Sequence, residues 1–159
     1  MGKYQTVFRR VIALLIDGIF IIAPFSLISQ YITIDNNVTN TVFLVSKTFV
    51  PFIYFIVMNY LFGQTLGKMV VNIKIVDISE TRNISIKQAF LRESIWIGLS
   101  FIEFVFIKTF SNSSWVDVIS LYDTLVFIII IIIIIAMLKN EKRRAIHDFI
   151  AETVVVILE

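Results

Sequence analysis

The chain has 159 residues, of which 58% are hydrophobic and 16% charged, with a mean hydropathy of +0.89. A soluble domain is usually about 45–50% apolar and about 25% charged, so this chain has too little polar surface to coat a water-soluble globule and is expected to be an integral membrane protein. The absence of Cys and the single His exclude a disulfide scaffold and a zinc finger or ribbon. The length allows one compact unit, and the net charge of +2 matters less than where the basic residues lie.

A helical span needs about 20 mostly apolar residues to cross about 30 Å of hydrocarbon. Four stretches approach this: residues 11–29 (with Asp17 and Pro24), 42–62 (with Lys47 and Pro51), a shorter one at 95–110 (with Glu103), and 118–138. The last includes eight consecutive isoleucines, Ile128 to Ile135. In water that run would read as a strand, but in a bilayer each unpaired backbone amide costs several kcal/mol, so it is expected to be helical. The first stretch lacks a small-residue cleavage site and reads as a retained anchor.

Charge placement sets an expected orientation. Lys3, Arg9 and Arg10 precede the first stretch, the 63–94 segment carries Lys68, Lys74, Arg82, Lys87 and Arg92, and Lys139, Lys142, Arg143 and Arg144 follow the fourth. Four spans place these twelve of the fourteen basic residues on one side, which predicts both termini in the cytoplasm. Lys47 and Lys108 fall near the outer ends of spans and can snorkel. Three spans would split the basic segments. The expected fold is therefore an all-α membrane protein, a four-span helical bundle with both termini inside, a cytoplasmic segment 63–94 and a cytoplasmic tail 139–159.

The cytoplasmic segment has structure of its own. Val70 to Ile78 is β-prone, and Thr153 to Leu158 is a second such run; on one side of the membrane the two can pair as a short ladder, marginal unless it packs on something. Between them, Ser85 is a candidate N-cap for an interfacial helix through Glu93 that leads into the third span.

Charged groups inside the membrane are the most informative feature, since one near mid-bilayer costs roughly 2.5–3.5 kcal/mol. Asp17 and Arg10 share one helix face, about 10 Å apart, too far to pair along a straight helix. A further group should bridge them or pair with each. Asp17 and Glu103 are candidate ion- or proton-binding carboxylates; the alternative is a structural network holding the helices together. Asp117 and Asp123 are expected to contact water. Gly63-Gln64-Thr65-Leu66-Gly67-Lys68 has the wrong spacing for a phosphate loop. His147-Asp148 lacks a second His or a nucleophile, so no enzyme, metal or cofactor is expected. The Lys139–Arg144 cluster reads as a topology anchor with weak affinity for anionic lipid.

These residues together resemble the RDD family of bacterial membrane proteins. The resemblance rests on Arg10 with Asp17 seven residues on, then Gly63-Gln64-Thr65-Leu66-Gly67-Lys68 with Ile75-Val76-Asp77. Leu91-Arg92-Glu93 follows, then Arg143-Arg144-Ala145-Ile146-His147-Asp148 and Thr153-Val154-Val155. It implies a name-giving triad of Arg10, Asp17 and Asp148, with Gly63, Gln64, Thr65, Gly67, Lys68, Arg92, His147 and Thr153 as supporting positions. The residue before Thr153, often Gly in the family, is Glu152 here. The family is commonly drawn with three spans. The resemblance implies a bacterial cytoplasmic-membrane protein, in some members linked to cation/proton exchange and in others to accessory or assembly roles.

Two functions follow as expectations. One is a transporter or transporter-like component for a monovalent cation or proton, which would need a homo-oligomer to build a path. The other is a non-catalytic accessory, assembly or immunity protein that binds a membrane protein partner. The lipid bilayer is the common partner of both, and nothing points to nucleic acid. An Arg10–Asp148 contact clamping the bundle end is expected under either.

Overall fold

A computed structural model describes residues 2–24, 27–28, 37–109 and 116–158, with the backbone alone at 22, 37–41, 44, 106–109 and 116–121. Helix α1 (Val7–Asp17) runs into a π-helical turn, Gly18–Ile22; α2 (Asn37–Phe62) carries Pro51 in its interior. Then come the short α3 (Leu66–Val70), strand β1 (Ile73–Asp77), α4 (Ile86–Thr109), α5 (Val116–Lys139), the short α6 (Ile146–Ile150) and strand β2 (Thr153–Ile157). The described residues are mostly helical, with one small two-stranded sheet.

Helix α1 is inverted relative to a soluble helix. Phe8, Leu14, Leu15 and Val11 are exposed, whereas Thr6, Ala13 and Asp17 are buried. A helix with its apolar face outward and its charge inward suits lipid. Helices α2 and α5 contain stretches long and apolar enough to cross a membrane, Val45–Phe62 and Tyr122–Lys139, with only 6% and 11% of those residues buried in the protein. The isoleucine run is part of α5, helical as expected, and Ile128, Ile131, Ile132 and Ile135 face outward. A continuous bare surface of this kind is uncommon on a soluble monomer.

The region after Gly63 departs from expectation at one point. The interfacial helix and the third apolar stretch are one unbroken helix, α4. Its start is set by a capping box: Ser85 Oγ accepts the Gln88 N–H at 3.3 Å and Gln88 Oε1 accepts the Ser85 N–H at 2.9 Å. From there to Thr109 no Pro interrupts the sequence, so nothing forces a break at residue 94. With Arg92, Glu93 and Glu103 inside it, α4 is not one of the two helices that, among the described residues, are apolar enough to cross on composition.

Strands β1 and β2 pair antiparallel in the register Ile73↔Ile157 to Asp77↔Thr153. Two strands alone are marginal in water. Here Ile73, Ile75 and Val155 pack into a buried cluster with Ala13, Ile84 and Ala89, which ties the ladder to α1 and α4. Gly63 ends α2 in the left-handed region at φ +68, and its carbonyl accepts the Ile75 N–H at 2.8 Å. A Cβ there would lie 2.8 Å from the Ile75 carbonyl oxygen, so this turn requires Gly. A second cluster, Ile133, Met137 and Ala145, packs with Val7 and Trp96 and seats the end of α5.

Candidate functional site

Asp17 is the C-terminal residue of α1, and its buried carboxylate is filled by the turn that starts α3. Thr65 Oγ1 donates to Oδ2 at 2.5 Å, the Gly67 N–H to Oδ1 at 2.8 Å, and Tyr54 Oη to Oδ1 at 3.1 Å. Asp17 thus supplies from another helix the negative charge that the amides opening a helix favour. Thr65 caps the same turn, accepting the Lys68 N–H on its hydroxyl. Gly67 is needed because α3 crosses α1 in contact: a Cβ on Gly67 would sit 2.1 Å from the Ala13 carbonyl oxygen. The Gly63–Lys68 motif is therefore a cradle for a carboxylate of its own chain.

Asp148, fully buried in α6, is the second centre. Arg10 Nη1 donates to Oδ2 at 2.6 Å, Arg92 Nη1 donates to Oδ1, and the Ala145 N–H donates to Oδ2 at 2.9 Å. Arg92 also donates to Thr153 Oγ1 at 2.6 Å, and Arg10 Nε to Thr6 Oγ1 at 3.1 Å. Arg144 reaches back to the Thr153 and Asp148 carbonyls at 3.0 Å each. Burial pushes the Asp148 carboxyl up, but the guanidiniums of Arg92 and Arg10 outweigh it and hold the group well below the usual carboxylate range. His147, beside it, is pushed down to about 3, by burial first and then by the neighbouring cations, against the pull of Asp148; it is neutral at pH 7.

A third group of polar residues lies between the two. Lys68 Nζ donates to Asn59 Oδ1 at 3.0 Å, and Asn59 Nδ2 faces Glu93 Oε1 at 3.5 Å. Asn59 is fully buried. No carboxylate pairs directly with the Lys68 ammonium among the described residues. Burial, aided by Arg92, lowers Lys68 to about 7, although Glu93 and Asp17 oppose it. At the outer edge, Glu80 accepts from Lys3 at 2.6 Å, Tyr4 at 2.7 Å and Lys142 at 2.8 Å. These three hydrogen bonds, with that from Lys142 the strongest influence, lower Glu80 to about 2.

The sequence-derived positions fall into place unevenly. Arg10, Arg92, Asp148 and Thr153 converge; Asp17, Thr65 and Gly67 converge separately; Gln64 donates to the Ile73 carbonyl at 2.9 Å. Among the described residues no single group bridges Arg10 and Asp17, since each has its own partners. Glu103 is exposed on α4 and is not brought to Asp17; its electrostatic neighbours are Asp123 and Lys47. Asp123 is exposed, while the side chains of Asp117 and Lys108 lie outside the described residues. Tyr54, Asn59 and Glu80 were not singled out by sequence. Asn59 carried the one visible signal, a lone amide in an apolar run. Among the described residues no three His, Cys, Asp or Glu side chains converge to hold a metal ion.

The fold and this network define a class: a helical membrane protein braced at one end by buried ionic centres and a two-stranded ladder. The chain belongs to the RDD family, a membrane-associated family whose sequence model matches residues 4–152. No curated protein and no solved structure matches the chain.

Proposed function

We propose that this is a non-enzymatic four-span protein of the bacterial cytoplasmic membrane that acts as an accessory or assembly partner of another membrane protein, with the Arg10, Asp17 and Asp148 triad as its brace. The observation that carries this reading is the occupancy of the two family carboxylates. Both oxygens of Asp17 and both of Asp148 accept hydrogen bonds from fixed donors of the same chain. Carboxylates held this way suit structural bracing better than cyclic loading of a cation. The bare apolar sides of α2 and α5 then supply lateral area for a partner.

The four crossings would be α1 with its π turn, α2, α4 and α5. Pairing of β1 with β2, and of the Ile157 N–H with the Lys3 carbonyl, supports an even number of crossings between these segments. The basic residues at this ladder end favour the cytoplasmic side. Photo-crosslinkers on the outward face of α5, for example at Ile131, should capture a stoichiometric partner from native membranes. Repeated recovery of uncrosslinked protein from its native membranes would count against the accessory reading.

A second reading, transport of a monovalent cation or proton by an oligomer, has one observation in its favour. Glu103, exposed on α4, lies within electrostatic reach of Asp123 and Lys47 from two other helices. Liposomes loaded with a pH dye should then dissipate a proton gradient when Na⁺, K⁺ or Li⁺ is added, and Glu103→Gln should abolish the flux. Absence of flux with all three ions removes this reading.

A further inference from the structure

We infer that the slot between the start of α4 and the end of α6 is a binding site for an anionic phospholipid. The cavity measures about 400 Å³ and is lined by Arg82, Lys87, Gln88, Leu91, Ile150 and Glu152, among others. The lining combines cationic side chains, Arg82 and Lys87, with apolar ones, Leu91 and Ile150, as a phosphate headgroup joined to an acyl chain requires. Gln88 is already committed to Asp77 and the Glu152 carbonyl, so it shapes the slot and leaves Lys87 and Arg82 to meet the headgroup.

The surroundings point to lipid as the occupant. Ile86 and Phe90 on α4, next in sequence to the lining residues Lys87 and Leu91, are exposed large apolar side chains, as are Phe149 and the lining residue Ile150 on α6. The Arg144 guanidinium lies 4.1 Å above the Phe149 ring, an aromatic and a cation presented together. Such pairs suit the headgroup boundary, where apolar bodies sink and charged tips stay wet. Charge complementarity sets the lipid class. Among the described residues Arg9, Lys47, Lys68, Lys74, Lys87, Lys139, Arg143 and Arg144 have no ion-pair partner, and Lys87 is the one of these that lines the slot. Arg82 gives one nitrogen to Asp77 and keeps the rest of its fork. Arg82 and Lys87 outnumber Glu152, the one carboxylate in the lining, so an anionic lipid is favoured over a zwitterionic one.

The test uses the full chain in detergent micelles, where the result does not depend on how the chain threads a bilayer or on any partner. Phosphatidylglycerol or phosphatidylcholine is titrated in, and lipid retention is read by native mass spectrometry beside the thermal midpoint. Phosphatidylglycerol should be retained at one per chain and raise the midpoint. Lys87→Gln should weaken that binding about fivefold, the scale of one basic contact at a membrane surface, with Lys87→Arg restoring it. Lys74→Gln, a basic residue of β1 outside the slot, should leave retention unchanged. Equal retention of phosphatidylcholine, unaltered binding by Lys87→Gln, or an equal loss with Lys74→Gln would each overturn the site. A midpoint shift of the same size with soluble glycerol phosphate would overturn the lipid assignment.

Discussion

Arg10 and Asp148 lie 138 residues apart in sequence and 2.6 Å apart in space. The contact joins the first helix to the last and closes the ladder end of the molecule. Arg92 shares the same carboxylate, so Asp148 has two cations and Arg10 has one anion. That asymmetry sets an order for mutations. Losing one partner of a buried pair costs roughly 3–5 kcal/mol. Asp148→Asn strands two guanidiniums and should lower thermal stability more than Arg10→Gln, which leaves Arg92 in place. The Arg10→Gln/Asp148→Asn double variant should be less destabilised than the sum of the singles by about 1–3 kcal/mol. Additive losses in a thermal-shift cycle would show that the two are not coupled.

The Asp17 cradle makes a sharper prediction through a glycine. A methyl group on Gly67 has nowhere to go, because the atom it meets is backbone of α1 at 2.1 Å. Gly67→Ala should push α3 off α1 and break the Gly67 N–H bond to Asp17, at a cost of about 3 kcal/mol or more. Gly18, one residue beyond Asp17, has nothing within 4 Å of an added Cβ. Gly18→Ala should therefore be nearly neutral. Equal thermal midpoints for the two variants would contradict the close crossing.

How far the sequence revealed this arrangement depended on the kind of signal. Apolar runs and β-prone stretches are local, so α2, α5 and both strands were legible, and the pairing of strands far apart followed from placing both at one end. The meeting of Arg10 with Asp148 was legible through the triad that the family resemblance implies, since a buried charge in such a set demands an opposite one. The partners of Asp17 were not, because backbone amides and hydroxyls such as Gly67 N–H and Tyr54 Oη carry no charge pattern along the chain. Arg92 was visible as a motif residue but not as the second cation on Asp148. The continuity of α4 through residue 94 is not legible, because the polar Arg92-Glu93 pair reads as a boundary, whereas Arg92 points inward to Asp148 and leaves the helix intact.

Lys68 predicts the pH dependence. Its ammonium is half-buried against the Asn59 carbonyl, with Arg92 and Arg10 opposing its charge and Glu93 and Asp17 favouring it. Its value falls from 10.5 to about 7 on folding. Between these pH values the unfolded chain binds the extra proton, so stability rises as pH increases through that window and is flat below it for this group. The thermal midpoint of the wild-type chain should climb from pH 7 toward pH 10. Lys68→Met removes the titrating group, should raise stability at pH 7, and should flatten the climb. A wild-type profile matching that of Lys68→Met would rule out this assignment.

Glu152 predicts the opposite of the usual mutational result. It follows α6 in the left-handed region at φ +51, where an L side chain costs roughly 1–2 kcal/mol and Gly costs almost nothing. The position needs that conformation, because it turns the chain into β2 and aims its carbonyl at the Ile78 N–H, 3.0 Å away, and at Gln88 Nε2, 3.2 Å away. Both bonds use backbone oxygen and survive any side chain. What Glu152→Gly loses is an exposed carboxylate near Arg144, a contribution of about 0–1 kcal/mol at most. Relief of the strained backbone outweighs that and the added freedom of the unfolded chain, for a net gain of about 0.5–1 kcal/mol. Stability should therefore fall in the order Gly, Asn, Glu, Val at residue 152, since Asn tolerates this region and a β-branched side chain does not. A thermal series in which Glu152→Val matches Glu152→Gly would mean that the turn is not held at positive φ in solution.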